Sequence, residues 1–232
     1  MKKTILNFNA DVSYFAAEAF KSLRANVQFC GTDIKSIIIT SCLPNDGKST
    51  TSMGLAMALG NAGKKTLLVD ADLRKSVMLR KYSTEMDVVG FSELLSGQAS
   101  LEDVVYQTQI ECLDVIFSGQ YPANPAELLS STALAEFIEA QKKEYDYIIV
   151  DTPPLGVVVD AAVVASVCDA AIMVIAEGKI KKELAAEVKA QLEKSGARLI
   201  GAVFNSTVKK NKKSAKYGAY SKRYYGEYTS RK

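Results

Sequence analysis

Residues 36–41 form a β-branched apolar run, Ser-Ile-Ile-Ile-Thr-Ser. It breaks at Cys42-Leu43-Pro44-Asn45-Asp46 and ends in Gly47-Lys48-Ser49-Thr50-Thr51, where a helical pattern begins. The run reads as a buried parallel strand, and the Pro, Asn, Asp and Gly that follow read as a turn. A chain held to strand, tight loop and helix N-terminus in that order belongs among α/β folds. The backbone N–H groups of such a loop point inward, and the helix dipole adds positive potential. Lys48 can reach β- and γ-phosphates and the Ser49 hydroxyl can ligate Mg²⁺. The stretch is built to hold a nucleoside triphosphate, with Asn45, Asp46, Gly47, Lys48, Ser49 and Thr50 as its binding residues. In the pattern G-x-x-x-x-G-K-[ST] the first Gly falls at Cys42. Asn45 takes a turn position where glycine is common, and Asn tolerates left-handed backbone better than most side chains.

The rest of the chain repeats the alternation of strand and helix. Residues 10–29 place Val12, Ala16, Phe20, Leu23 and Val27 at helical spacing, with Glu18, Lys21 and Arg24 along the polar side. Residues 49–62 continue the phosphate loop as a helix. Thr66-Leu67-Leu68-Val69-Asp70 reads as a strand that delivers Asp70 and Asp72 at its C-terminal end, two residues apart and therefore on one side. Short helices are expected over 90–97 and 101–106, a strand over 113–117, and one helix over 125–142 introduced by Pro122 and Pro125. Tyr147-Ile148-Ile149-Val150-Asp151 is an apolar strand ending in an acid, the pattern that holds Mg²⁺ in phosphoryl-transfer sites. Strands over 170–176 and 199–204, with a helix over 180–195 between them, complete a doubly wound, mostly parallel sheet.

After Asn205 the periodicity stops. Residues 209–232 hold nine Lys or Arg against the single acid Glu227, a net of +8 that leaves −5 for residues 1–208 within the chain's overall +3. Five of the eleven tyrosines, Tyr217, Tyr220, Tyr224, Tyr225 and Tyr228, fall inside this basic stretch. The organisation expected is an N-terminal helical segment over 1–35, a phosphate-loop core over 36–205, and a flexible basic tail over 206–232. A tail of this composition also suits nucleic-acid binding.

Several chemistries are excluded. The chain has no histidine, which removes His-based zinc sites and Ser-His or Cys-His nucleophile pairs. Its four cysteines are scattered without a C-x-x-C pair, which fits reduced thiols. No apolar run is long enough to span a bilayer, and Met1-Lys2-Lys3 is not followed by the apolar core of a signal peptide, so a cytoplasmic protein is expected.

Together these motifs resemble one family, the bacterial tyrosine kinases of capsule and exopolysaccharide operons in their separate cytoplasmic form. The resemblance rests on Glu18-x-x-Lys21-x-x-Arg24, Pro44-Asn45-Asp46-Gly47-Lys48-Ser49-Thr50, Leu68-Val69-Asp70-Ala71-Asp72-Leu73-Arg74, Ile149-Val150-Asp151-Thr152-Pro153-Pro154 and the tyrosine-rich tail. In that family the three central motifs are called Walker A, A′ and B. Two departures stand out: Asn45-Asp46 replaces Gly-Glu, and Lys21 stands where Arg is frequent. The resemblance implies a phosphate-loop fold of the ParA/MinD-related class, ATP and Mg²⁺ as cofactors, and autophosphorylation of the five tail tyrosines. It implies Lys48, Asp70 and Asp72 as catalytic residues, with Asp70 preferred as the base, and Ser49, Asp72 and Asp151 around the metal. It further implies that Asn205 contacts adenine, that Glu18, Lys21 and Arg24 mediate assembly into a homo-oligomeric ring, and that a membrane-embedded adaptor activates the protein at the inner face of the membrane. The rival is a partitioning or positioning ATPase, but those carry a signature Lys early in the loop, where this chain has Leu43.

Overall fold

The computed structural model describes residues 14–82 and 88–205. The elements run α1 (Tyr14–Phe29), β1 (Ser36–Ser41), α2 (Lys48–Gly60), β2 (Thr66–Asp70), α3 (Met78–Tyr82), α4 (Phe91–Leu95), α5 (Leu101–Val104) and β3 (Tyr106–Gln107). They continue β4 (Leu113–Ile116), α6 (Pro125–Leu129), α7 (Thr132–Glu144), β5 (Tyr147–Asp151), α8 (Asp160–Ala165), β6 (Ala170–Ala176), α9 (Lys182–Lys194) and β7 (Arg198–Asn205). The strands form one sheet in the order β3-β4-β2-β5-β1-β6-β7, parallel except for the β3–β4 pair.

Both faces of the sheet are covered, which is why its central strands are apolar without alternation. In β1 the side chains of Ile37 and Ile39 go to one face and Ile38 to the other. The first face packs against Val27 of α1 and Met53, Leu55 and Leu59 of α2. The second packs against Leu134, Phe137 and Ile138 of α7, Val164 of α8, and Val188 and Leu192 of α9. Through Val27, helix α1 packs into the same core as β1 and α2. All six long strands point their C-terminal ends to one edge, and the candidate residues collect there.

The sequence reading differs from the structure in four places. The helix expected over 125–142 is two helices, parted at Ser130 and Ser131. Both hydroxyls donate back to the preceding turn, Ser130 to the Ala126 carbonyl and Ser131 to that of Leu128, and Ser131 adopts extended backbone. Such local bonds compete with helix continuation. The helix expected to reach residue 106 stops at Val104, and Tyr106–Gln107 pair with β4 as an antiparallel edge. Helices α3 and α8 were not anticipated; at five and six residues, neither is long enough to establish a period.

Candidate phosphate-transfer site

The loop between β1 and α2 is held by its own side chains. Asp46 is fully buried, and its Oδ2 accepts the Leu43 N–H at 2.9 Å, while the Ser41 hydroxyl donates to the Leu43 carbonyl at 2.7 Å. The Asp46 side chain thus braces the turn from inside, so that of this residue the backbone is what remains for a ligand. Two positions need left-handed backbone: Asn45, at φ 62°, and Gly47, at φ 98°. Among the described residues Asn45 is the one non-glycine with positive φ, at the position where tolerance of that conformation was required. At Gly47 a second constraint applies, because a Cβ there would overlap the Asn205 amide. Asn205, the last residue of β7, donates its amide N–H to the Asp46 carbonyl at 2.9 Å. The residue expected to meet a base therefore has its amide nitrogen committed to latching the loop to the far side of the sheet.

Asp70 ends β2 and Asp151 ends β5, and the two are directly opposite in the parallel ladder. Both are buried. Asp151 accepts hydrogen bonds from the Ser52 hydroxyl, at 2.9 Å, and from Ser49. Burial pushes its carboxyl up to about 6 even though Lys48, Ser49 and Ser52 favour the anion. Asp70 is pushed well above the usual carboxylate range by burial and then by the Asp151 charge, against a hydrogen bond from the Ser76 hydroxyl. Two carboxylates kept this dry and this close are poised for a cation.

Asp72 differs from its neighbour. It is half-buried and faces a cavity of about 440 Å³, whose opposite wall is Gly47, Lys48, Ser49 and Thr50. Its Oδ1 accepts the N–H groups of Arg74, at 3.3 Å, and of Lys75, at 2.9 Å, fixing the turn that follows β2. Of the two acids expected to serve as base, Asp72 is the one that reaches this cavity, whereas Asp70 is sealed beneath Ser76. Among the described residues no three His, Cys, Asp or Glu side chains gather to hold a metal by themselves. What is present, one or two carboxylates and a serine hydroxyl beside a phosphate cradle, is the donor set that fits Mg²⁺ bound jointly with a nucleotide.

One residue of the site escaped the sequence reading. Asp160, fully buried at the start of α8, accepts both Nε–H and Nη2–H of Arg74, at 2.7 and 2.9 Å. The pair fixes the Arg74 guanidinium at the cavity wall. A signal was available: Asp160 is the one charged side chain among residues 152–168 of an otherwise small and apolar stretch.

Comparison with known proteins decides between the two phosphate-loop readings. The model of the AAA domain family matches residues 35–193. The chain is 43% identical over 206 residues to the tyrosine-protein kinase CpsD of Streptococcus agalactiae, covering 89% of this chain and 90% of that protein. The chain belongs to the bacterial tyrosine-protein kinases. It superposes on the kinase domain of the Escherichia coli tyrosine kinase ETK with a TM-score of 0.79 at 32% identity, covering 84% of this chain and 77% of the other. The septum site-determining protein MinD of Pyrococcus horikoshii, complexed with Mg-ADP, shares the fold more distantly: a TM-score of 0.62 at 27% identity, covering 74% of this chain and 70% of the other. The doubly wound phosphate-loop fold is common to all three. The closer likeness is to the kinases.

In this family member the α1 triplet is not one exposed strip. Lys21 Nζ pairs with Glu18 at 2.7 Å in the open. Arg24 instead turns inward, its Nη1 donating to the Ala58 carbonyl near the end of α2 at 3.1 Å, and its Nε is buried. The five tail tyrosines lie outside the described residues. No helix of the described residues is long and apolar enough to cross a membrane.

Proposed function

We propose that this protein is an ATP-dependent protein-tyrosine kinase that autophosphorylates its C-terminal tyrosines, in trans within an oligomer, and so regulates capsular or exopolysaccharide synthesis or export. The observation that carries the reading is that an accessible carboxylate, Asp72, shares one cavity with Lys48 and Ser49 of the phosphate loop. Backbone N–H groups of residues 45–50 and the Lys48 ammonium hold the triphosphate. Ser49, Asp151 and Asp72 are the residues that would hold Mg²⁺, which would supply charge neutralisation on the transferring group. The acceptor tyrosine hydroxyl gives its proton to Asp72 as its oxygen bonds to the γ-phosphorus and the bond to the ADP oxygen breaks. A phenol with a pKa of about 10 is a feasible nucleophile beside a carboxylate. The exposure of Asp72 supports it over Asp70 as the base. Asp70 lies behind it and tunes the charge of the pair.

Transfer in trans is favoured by charge and proximity. The −5 domain attracts the +8 tail, and in a ring each tail lies near a neighbour's cavity at high effective concentration. Each phosphate adds about −1.5 to −2 charge at pH 7, so modification reverses the attraction and loosens the assembly. A membrane-embedded adaptor would bring the chain to the inner face of the membrane. The test incubates Lys48→Met protein, with an intact tail, together with active protein whose five tail tyrosines are Phe, in ATP and Mg²⁺. Phosphotyrosine on the Lys48→Met tail, mapped by mass spectrometry, is the expected result; an unlabelled tail leaves only transfer in cis, and an inactive wild type removes the kinase reading.

A further inference from the structure

The loop that leaves β5 is braced from within. The Thr40 hydroxyl donates to the Pro153 carbonyl at 2.9 Å and accepts the Leu155 N–H at 3.2 Å, while the Pro154 carbonyl accepts the N–H groups of Val157 and Val158 at 3.0 and 3.1 Å. Leu155 enters the core, and a Cβ on Gly156 would overlap the Cys42 carbonyl, so the loop is pressed against the exit of β1. The valines that follow are turned outward, with Val157 57% and Val159 58% exposed. Apolar side chains in a row, kept in water by a braced loop at the edge of a reaction cavity, mark a contact surface.

The strip joins two spaces. Val157 and Val158 line the cavity that holds Lys48 and Asp72, and Val159, with Ala162 and Val163 of α8, lines a groove of about 840 Å³ between α8, the start of α7 and the end of α9. Four serines stand in the groove wall, and each hydroxyl already donates to a backbone carbonyl: Ser130 to Ala126, Ser131 to Leu128, Ser166 to Val163 and Ser195 to Leu192. What they still offer is lone pairs. Apolar walls with hydroxyl acceptors suit a phenol, a flat ring with one O–H to donate, and Lys194 is the one charged side chain among the described residues of the lining. Tyrosine is also what the chain supplies. Residues 206–232 follow directly on Asn205, which is bonded to the phosphate loop, and Val208 is their only aliphatic side chain larger than alanine. Two spaces of this size that meet at one strip have centres about 10 Å apart, the reach of three extended residues. The tail holds two tyrosine pairs at that spacing, Tyr217 with Tyr220 and Tyr225 with Tyr228, whereas Tyr224 has Ser221 and Glu227 three residues away.

We infer that the valine strip and the groove behind it dock the tail by tyrosine pairs: one ring lies in the groove past Val159 while its partner, three residues away, enters the reaction cavity as the acceptor. The inference rests on the reading of the tail as the kinase's own substrate. It reaches beyond that reading to the class of acceptor, Tyr-x-x-Tyr, and makes Tyr224 the slowest of the five sites.

The experiment follows the occupancy of each site over time by mass spectrometry in the full chain with ATP and Mg²⁺. In the wild type Tyr224 should lag the four paired tyrosines. Tyr228→Phe should slow Tyr225 about fivefold, the worth of one hydrogen bond, and Tyr228→Ala roughly tenfold or more because the ring is lost as well, with Tyr217 as the unaffected reference. Val159→Ser and, separately, Thr132→Trp, which fills the groove from an exposed position, should bring the paired sites down toward the rate of Tyr224. Neither should move Tyr224 itself or the affinity for ATP by calorimetry. Tyr224 labelled as fast as the others, a Tyr225 indifferent to Tyr228→Ala, or paired sites indifferent to both groove variants overturns the inference while leaving autophosphorylation standing. Groove variants that keep all five rates but lower the mass in light scattering assign the groove to a contact between folded domains, and overturn it too. Absence of phosphotyrosine at every site would instead overturn the reading of the tail as substrate.

Discussion

Asp151→Asn should make the nucleotide-free protein more stable while abolishing or severely depressing phosphoryl transfer. In the folded chain the Asp151 carboxyl sits at about 6, against an ordinary value of 3.8. Its folded pKa is raised, so the stability tied to its proton is fully present below the unfolded value and is lost as pH rises through about 6. At about 1.4 kcal/mol per pKa unit, the shift corresponds to about 3 kcal/mol lost by pH 8. Asparagine removes the charge and keeps an oxygen that can accept from Ser52, although its NH₂ group needs a partner and offsets about 1 kcal/mol. The net gain at pH 8 is about 2 kcal/mol, a rise in Tm of about 4–8 °C for a chain of this size. Removing the charge also relieves Asp70, which faces it across the ladder. The assay is thermal unfolding of both proteins in chelator at pH 8 and pH 5. The difference between them isolates this pair, since carboxylates other than Asp70 and Asp151 titrate equally in both. The advantage should shrink toward zero at pH 5, and should reverse at pH 8 in Mg²⁺ and ATP, which stabilise only a protein that binds them. A variant less stable than wild type at pH 8 without ligand, or a gap independent of pH, would refute the reasoning.

Three further outcomes follow from contacts away from that pair. Asp169→Ala should cost about 3 kcal/mol in denaturant unfolding, because its carboxylate accepts the Lys35 and Ser36 N–H groups and the Lys142 ammonium. Those partners hold Asp169 below the usual carboxylate range, so the gap to wild type should close as the pH is taken below about 4. Gly47→Ala should retain the fold but lose nucleotide affinity by calorimetry, since the left-handed backbone and the Asn205 amide both resist a Cβ. Glu18→Ala with Lys21→Ala should lower the mass in light scattering, whereas Arg24→Ala should lower Tm as well, because Arg24 is bonded to the Ala58 carbonyl of α2; an unchanged mass in both would remove α1 from self-association.

What was legible in the sequence was whatever a short local pattern determines. The strand, loop and helix at residues 36–60 and the strands ending in Asp70 and Asp151 are each set by neighbours in the chain, and the apolar runs are long enough to fix strand type. Asn45 also belongs here: a left-handed turn was required, and Asn was the side chain present that tolerates it. The misses share a cause. The break at Ser130 and Ser131 hangs on two hydroxyls that either a cap or a helix interior could use, and helices of five or six residues carry no period.

Side-chain roles were less legible than elements, because a role depends on what the fold brings opposite. Asp70 and Asp72 are equivalent in the sequence, two residues apart on one strand exit, and in the structure they part company. The first stays in the ladder, facing Asp151 and covered by Ser76; the second has left it and opens to the cavity. Asp46 and Asn205 read as ligand residues because of where they fall, yet one braces the loop from within and the other from the end of β7, 159 positions away. Arg74 read as part of a motif, and only the arrival of α8 supplies Asp160 as the buried acid that fixes it. The same arrival changes the electrostatics of the mouth. It neutralises Arg74, one of the cations that line the cavity.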